Sequence, residues 1–437
     1  MPSTGRRAVI TLLLFVALYA FFAVTFDFRN LTDTNLHSRQ TETLVLHGTV
    51  DLSGQKLLPA EFAFPHDGKI YSEFGVGISV VSAPVYAVLT RLDASRKFMA
   101  GATAIAFVTG ATLVLHRVLL KLVQPLIAGA ASAVFALATP MWPIATTALH
   151  EHSAVALFQS VGLFGLFSRA RWAPLVSGLG FGFATFVRPT ETIVAGLVGL
   201  FYLLRERRHR AVAYAAGAMV GIVGLVIQNR WLWGNWLQGG YVNNPEGFHG
   251  DPASGLFGLL LGWWRGMLVY TPVLVLGFVG LYLVLRKPRG FVEERMVVLG
   301  VASVAMIGLY SFWTEWWGGT SQYGYRFLLE IVPFLVVLGA FAVERIPRLR
   351  RAAVVLATVS VANMAFGMAP NRFAWDGVEF PSRFSDSPIG QAWIVFAHRP
   401  GGSLLRIAGV AALAVLFVVT GRRLAETAAA PLDPAIP

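Results

Sequence analysis

The chain has 437 residues, of which 56% are hydrophobic and 13% charged, and its formal net charge is +12. Soluble domains carry about 25% charged residues, so this composition is that of an integral membrane protein and argues against a separate soluble domain. Because Arg and Lys flank the apolar segments, the positive charge is explained by membrane topology and we expect no nucleic-acid partner, while the lack of cysteine excludes disulfides and thiolate metal sites.

Apolar segments that can cross a membrane, with some help from their flanks, recur along the whole chain. They cover residues 8–26, 98–115, 125–140, 153–168, 173–187, 190–204, 211–229, 267–285, 296–312, 327–343, 352–369 and 404–420. The first is too long for the apolar core of a signal peptide, which has about 7–15 residues. We therefore predict an all-α polytopic membrane protein with about 12 transmembrane helices. Residues 1–427 are expected to form one domain, and residues 428–437 a disordered tail.

The segment Gly75–Thr90 decides the predicted topology. It is apolar but short, is interrupted by Pro84, and lies between Glu73 and Arg91. We interpret it as a re-entrant or interfacial helix within a long first outer loop, residues 27–97. With that assignment more than half of the 35 Lys and Arg residues cluster on alternate loops facing the side of the N-terminus. This is the positive-inside pattern, so both termini are expected in the cytoplasm.

Polar residues suited to chemistry gather in the predicted outer loops. Asp33, in the first loop, is either a general base or an ordinary solvated acid. The triplet His150–His152 precedes the fourth span, and because side chains at i and i+2 do not share a helix face, a substrate contact or polar cap is favoured over a metal site. Arg188 follows the fifth span, and Glu191 at i+3 makes a structural ion pair the alternative to a functional role.

Two outer loops interleave aromatic residues with glycines and charges. Trp residues at an interface are commonly membrane anchors, but anchoring does not explain the glycines and charges between them. Glycines let a backbone approach a ligand closely, and aromatic faces with polar edges suit sugar rings. The candidate residues are Tyr241 and Arg265 in the earlier loop, and Glu315, Trp316, Trp317, Gly318, Gly319, Tyr323 and Arg326 in the later one.

In the order of these features the chain resembles the integral membrane glycosyltransferases of the GT-C superfamily, and more closely the bacterial relatives of protein O-mannosyltransferases and of the lipid A aminoarabinose transferase. The likeness covers most of the chain. It rests on Asp33 in a long first loop, residues 67–72, the Pro84 segment, His152, Arg188-Pro189, residues 265–272, and residues 316–326.

The resemblance implies that a polyprenyl-phosphate-linked sugar is the donor and that the sugar passes, with inversion, to a saccharide, lipid or protein acceptor on the outer face. It implies that Asp33 is the base and that Arg326, Arg188 and Arg265 bind the donor phosphate. It further implies substrate contacts from Glu315, Trp316, Trp317, Gly318, Gly319, Tyr323, His152 and Tyr241.

The sequence departs from the family where many relatives have an Asp-Glu pair, because Thr34 follows Asp33 here. Relatives that use a metal tend to have additional acids, so we expect a metal-independent enzyme without a cofactor. We expect it in a bacterial inner or plasma membrane, with its active site on the outer side.

Two other functions remain open at this point. Many spans also fit a transporter or a flippase for a lipid-linked saccharide, although a transporter places its polar groups near the membrane midplane. A structural or assembly protein would leave Asp33 and Arg326 far apart. There is no Walker A loop, Rossmann fingerprint or G-x-S-x-G elbow, so ATP-driven transport by a domain of this chain is not expected.

Overall fold

The structure is a computed structural model that describes residues 3–26, 32–54, 62–240, 246–286, 290–318, 323–368, 383–398 and 401–429. It is predominantly helical, which confirms the all-α prediction. The helices are α1 (Ser3–Val24), α2 (Thr32–His47), α3 (Gly77–Thr90), α4 (Arg96–Leu119), α5 (Pro125–Leu137), α6 (Glu151–Leu166), α7 (Ala173–Val187), α8 (Thr192–Arg205), α9 (Arg208–Trp233), α10 (Pro252–Leu260), α11 (Met267–Tyr270), α12 (Val275–Arg286), α13 (Phe291–Ser311), α14 (Val332–Arg345), α15 (Leu349–Gly367), α16 (Pro388–His398) and α17 (Gly401–Ala429).

Each predicted span overlaps one of these helices, in some cases with the 3-10 turn before it, except that residues 267–285 cover α11, a 3-10 turn and α12. Within the described part of the chain, four helices are long and apolar enough to cross a membrane: Arg96–Leu119, Arg208–Trp233, Arg326–Arg345 and Leu349–Gly367. The other apolar helices are shorter. The count of about 12 spans, the single domain and the orientation in the membrane therefore stay predictions.

The tightest packing in the bundle is between α7 and α9, and it depends on glycine. A Cβ atom at Gly178 or Gly182 of α7 would overlap backbone carbonyl oxygens of α9, and one at Gly221 of α9 would overlap the Gly182 carbonyl. Small residues spaced by four let two membrane helices approach to backbone contact. This packing fixes the end of α7, where Arg188 follows.

The first predicted outer loop contains two helices and a hairpin. Strands β1 (Ala63–His66) and β2 (Lys69–Ser72) pair antiparallel through the turn Asp67-Gly68. Both turn residues have positive φ, 50° and 73°, as a two-residue hairpin turn with Asp-Gly requires. The hairpin was not predicted from the sequence.

Helices α2 and α3 pack together in the same segment. Ser79 on α3 donates to Gln40 on α2 at 3.0 Å, and Arg96 at the start of α4 pairs with Glu42 at 2.6 Å. The predicted helical character of Gly75–Thr90 is confirmed by α3, while its position relative to the membrane stays a prediction. Asp33 is not on a continuation of α1, because α1 ends at Val24 and α2 starts at Thr32.

Candidate active site

Four helix ends meet at one place in the bundle. They are the first turn of α2, the first turn of α6, the end of α7, and the 3-10 turn Arg326–Ile331 that leads into α14. These ends supply Asp33, His152, Arg188 and Arg326, all selected from the sequence. The structure therefore brings together residues that are up to 293 positions apart in the chain.

The centre of the site is an ion pair between Asp33 and Arg326. Asp33 is 8% exposed, and its Oδ1 accepts the Thr34 backbone N–H at 2.8 Å. Burial alone would raise the pKa of Asp33, but the Arg326 guanidinium and the Thr34 N–H hold that pKa below its usual range. Asp33 is consequently an ionised carboxylate at neutral pH. The arrangement of a structural protein, with Asp33 and Arg326 far apart, is not the one found.

His152 connects the two arginines of the site. Its Nε2 accepts the Nε–H of Arg326 at 3.2 Å, so the ring proton is on Nδ1, which donates to Glu330 Oε1 at 2.6 Å. Arg188 Nη1 lies 3.5 Å from the same Nε2. His152 thus orients Arg326 from behind, and its predicted role in direct substrate contact stays a prediction.

Arg188 lies at the other end of this network. Its Nε lies 3.1 Å from Glu330 Oε1 and donates to the Tyr310 hydroxyl at 3.0 Å, and its Nη1 lies 3.5 Å from Glu151 Oε2. Tyr310 stacks on Phe327 with ring centroids 5.1 Å apart. Arg188 is therefore held in place by two carboxylates and an aromatic wall.

The predicted ion pair between Arg188 and Glu191 does not form. Arg188 has an extended backbone, and Pro189 starts a new turn, so the two residues do not share a helix face. Glu191 instead accepts from Gln159 at 2.6 Å in the buried interior. Arg188 does form ion pairs, but its partners are Glu330 and Glu151 and not Glu191.

Glu246 and Glu315 form a pair of carboxyl groups near Arg326. The pKa of Glu246 is raised to about 7 by burial and by the neighbouring Glu315 carboxyl, with which Glu246 shares a hydrogen bond. The charge of Asp33 raises the pKa of Glu246 further, and the charge of Arg326 lowers it. Glu246 is therefore partly protonated near neutral pH. Glu315 was predicted from the sequence and Glu246 was not.

The loop that carries Glu315 is held by Arg265. This arginine is fully buried, and its Nε and Nη1 donate to the carbonyl oxygens of Trp317 at 3.0 Å and Trp264 at 3.3 Å. The rings of Trp316 and Trp317 meet edge to face. Arg265 therefore positions the loop, whereas its predicted contact with the donor phosphate stays a prediction.

Gly318 lets this loop reach Arg326. Its φ of 75° lies in the left-handed region, and a Cβ placed there would come within 3.1 Å of the Arg326 Cβ. We expect Gly318→Ala to lower the stability of the protein by about 1–2 kcal/mol, because of the left-handed backbone, and to reduce activity by displacing Arg326. Thermal unfolding in detergent measures the first effect.

Gly308→Ala on α13 is the matched control, because its added Cβ meets no atom within 4 Å. There the same change should be neutral or stabilise by up to about 1 kcal/mol. Equal effects of the two substitutions would show that the conformation of Gly318 is unimportant.

The remaining predicted residues have different positions. Tyr323 is buried, and its hydroxyl donates to the Asn363 carbonyl at 2.8 Å, so it packs inside the bundle. Tyr241 and Gly319 lie outside the described residues. No group of three His, Asp or Glu side chains with the geometry of a metal site occurs among the residues that the structure describes, and metal independence stays a prediction.

Sequence reasoning missed two members of the network, Glu330 and Tyr310. A signal for Glu330 was present, since it is the only charged residue in the apolar segment 327–343, and ionisable residues in such segments are commonly functional. No comparable signal pointed to Tyr310, because a single Tyr at the end of an apolar helix is typical of an interface anchor.

No family model matches the chain, and no curated protein does either. The solved structures that are similar over nearly its whole length include two of ArnT from Cupriavidus metallidurans. One is bound to undecaprenyl phosphate, with 14% identity over 97% of this chain and 77% of that chain and a TM-score of 0.53. The other is in the apo state, with 15% identity over 95% of this chain and 76% of that chain and a TM-score of 0.55. The chain has the ArnT fold. The predicted GT-C resemblance is thereby confirmed as a likeness of fold.

We call the connected residues Asp33, Arg326, His152, Glu330, Arg188 and Tyr310 the Asp33 network. Within the ArnT fold, this network is built from residues at or near helix ends. These ends come from parts of the chain that are far apart in sequence, and the folding of the bundle brings them together. The position of these ends relative to the membrane stays a prediction.

Proposed function

We propose that this chain is a membrane glycosyltransferase that takes a sugar from a polyprenyl-phosphate donor and transfers it to an acceptor on the outer face of the membrane. The observation that carries the proposal is the buried contact of Asp33 with Arg326. It places an ionised carboxylate beside a cation, and inverting transfer from a phosphate leaving group needs this combination. The similar ArnT structure with bound undecaprenyl phosphate supports a lipid-phosphate ligand for this fold.

The arginines are the proposed phosphate ligands. A guanidinium offers parallel N–H groups that match phosphate oxygens, and Arg326 is the more accessible of the two network arginines, with 19% of its side chain exposed against 9% for Arg188. Arg326 would contact the phosphate directly. Arg188, which is held by Glu330 and Glu151, would attract the phosphate by its positive charge without contacting it directly.

Binding of the donor would change the partner of Asp33. In the resting site the Arg326 charge lowers the pKa of Asp33, which makes the carboxylate a weak base. A phosphate that takes over part of Arg326 would weaken that pairing, and the basicity of Asp33 would rise. The donor would thus activate the base that acts on its co-substrate.

The reaction then follows directly. Asp33 accepts the proton of an acceptor hydroxyl, and the oxygen forms a bond to the anomeric carbon from the face opposite the phosphate. The bond between that carbon and the phosphate oxygen breaks, and polyprenyl phosphate leaves with the electron pair, stabilised by Arg326. The configuration at the anomeric carbon is inverted.

The remaining assignments are part of the same proposal. The protein would be an integral membrane protein with both termini in the cytoplasm and the site on the outer side, and Trp316, Trp317, Glu315 and the Gly318 backbone would contact the sugar or acceptor.

Sugar transfer in proteoliposomes tests the proposal. A panel of labelled polyprenyl-phosphate sugars would be offered with a native acceptor extract, and we expect one donor to yield a labelled product. Movement of intact lipid-linked sugar across the bilayer without a labelled product would favour the flippase instead.

The pH dependence of transfer should report on Glu246. With a pKa of about 7, Glu246 is protonated below that pH and ionised above it. Its ionisation adds a negative charge near Arg326 and should weaken binding of the anionic donor, so kcat/KM is expected to fall as pH rises through about 7. Asp33, whose pKa is held low, should add no inflection between about pH 5 and pH 9.

The matched variants are Glu246→Gln, which should remove the inflection, and Glu294→Gln at the far end of α13, which should retain it. A profile that is unchanged in Glu246→Gln would assign the inflection to another group.

A further inference from the structure

A polar cavity lies at the end of the bundle away from Asp33. It has a volume of about 370 Å³ and is lined by Arg169, Glu206, Arg207, His209, Arg210 and Phe291. Phe291 starts α13, and Tyr310 of the Asp33 network lies near the end of that helix. At 1.5 Å per residue the two ends are about 30 Å apart. The cavity is thus separate from the candidate active site.

The lining of this cavity has an excess of positive charge. Among the described lining residues Glu206 is the one acid, and it already pairs with Arg210 at 3.0 Å and with the buried Arg295. Arg169 lies over the Phe291 ring at 4.7 Å. Among the described residues neither Arg169 nor Arg207 forms an ion pair with a carboxylate, so both guanidinium groups are available to an anion.

An apolar groove of about 770 Å³ starts at the same point and runs between α8 and α9. Glu206 lines both spaces, and Arg208 lies at the mouth of the groove. Beyond Arg208 the walls are mostly apolar and include Gly196 and Leu203 on α8 and Ala215 and Met219 on α9. The stretch of α9 from Arg208 to Ile222 corresponds to about 21 Å of helix.

The groove is a space that the protein leaves open. A Cβ added at Gly196 would meet no atom within 4 Å, whereas glycines on the packed face of α9 are in backbone contact with α7. The hydroxyl of Tyr214, which also lines the groove, donates to the Ala195 carbonyl at 2.7 Å. The surface is therefore suited to a hydrocarbon chain.

We propose that the cavity and the groove together bind one membrane phospholipid with an anionic headgroup. The phosphate contacts Arg169, Arg207 and Arg210, and one acyl chain lies between α8 and α9. A free anion would occupy the basic cavity and leave the apolar groove empty. A transmembrane helix of another protein would occupy the groove and leave the cavity empty. The cluster also lies on the Arg-rich side of the predicted topology, where anionic lipids attract basic residues.

Competition between lipids tests this proposal. The full-length protein would be incubated with equal amounts of a phosphatidylglycerol and a phosphatidylcholine of the same chains, and the retained lipids counted by native mass spectrometry. We expect preferential retention of phosphatidylglycerol. Arg169→Gln combined with Arg207→Gln should weaken its binding roughly 30-fold, since each basic residue near an anionic lipid contributes about 1 kcal/mol.

Two further variants separate the parts of the site. Gly196→Leu adds a side chain whose Cβ meets no atom within 4 Å, and it should reduce retention of phosphatidylglycerol while Arg169 and Arg207 are intact. Arg348→Gln with Arg351→Gln removes the same charge from exposed positions at the start of α15, and should retain wild-type binding.

The proposal would be overturned by equal retention of the two lipids, by an equal loss in the Arg348 and Arg351 control, or by unchanged retention in Gly196→Leu. Protection of the protein from thermal unfolding by inorganic phosphate, as strongly as by phosphatidylglycerol, would make the cavity a free-anion site and would also overturn it. None of these outcomes depends on glycosyl transfer.

Discussion

Replacing Asp33 with Asn should reduce sugar transfer by about 10²–10⁴-fold, the usual contribution of a positioned base. The amide retains the size of the carboxylate, and it can still accept the Thr34 N–H, so α2 should keep its position. The loss should therefore appear in kcat, while the affinity for the donor is equal to or better than that of the wild type, because Arg326 is released from its partner.

Asp93→Asn is the matched control for Asp33→Asn. Asp93 is an exposed acid later in the same loop, and its left-handed φ of 52° is tolerated by Asn. It should transfer sugar like the wild type. Full turnover by Asp33→Asn with the correct donor and acceptor would refute the assignment of the base, and Glu315 would be the next carboxylate to test.

Replacing Arg326 with Gln should reduce kcat by about 10²–10³-fold, as observed when one group that stabilises a developing anion is lost. In contrast to Asp33→Asn, donor affinity should fall as well. Arg326→Lys should recover part of the activity, because it retains the charge but loses the two parallel N–H groups. Single-turnover kinetics with a saturating donor separate the two effects.

Stability provides an independent measurement on the same pair. Arg326→Gln leaves Asp33 buried without its cation, which lowers stability, and adding Asp33→Asn should restore it without restoring turnover. Arg91→Gln, an exposed arginine in the first loop, is the control. If stability and activity rise together in the double variant, the pair has a structural function and does not take part in the reaction.

The helical framework was predictable because its signal is local. Residues 173–187 were predicted as a span, and α7 has the same limits, since an apolar run between polar flanks is largely a property of those residues. The hairpin turn Asp67-Gly68 was also a local signal, and it was missed because the surrounding strands are too short for an alternating pattern.

The sequence was sufficient to select several residues of the candidate site, but not to predict which of them contact each other. Asp33 and Arg326 were selected separately, but only the fold, which puts the first turn of α2 beside the 3-10 turn Arg326–Ile331, brings them into contact. The pairing of Arg188 with Glu191 was wrong because the i+3 rule assumes a continuous helix, and Pro189 interrupts it. Glu246 has no sequence signal, since its pKa is raised by burial in the fold and by the Glu315 carboxyl, 69 positions away in the chain.

The separation of 293 residues between Asp33 and Arg326 has a consequence for biogenesis. Helices are inserted in the order of synthesis, so α2 is complete long before the chain reaches Arg326. Until then the Asp33 carboxylate lacks the Arg326 guanidinium, which lowers its pKa in the folded protein. The Asp33–Arg326 contact is therefore formed at one of the later insertion events, and a chain that ends before Arg326 cannot form it.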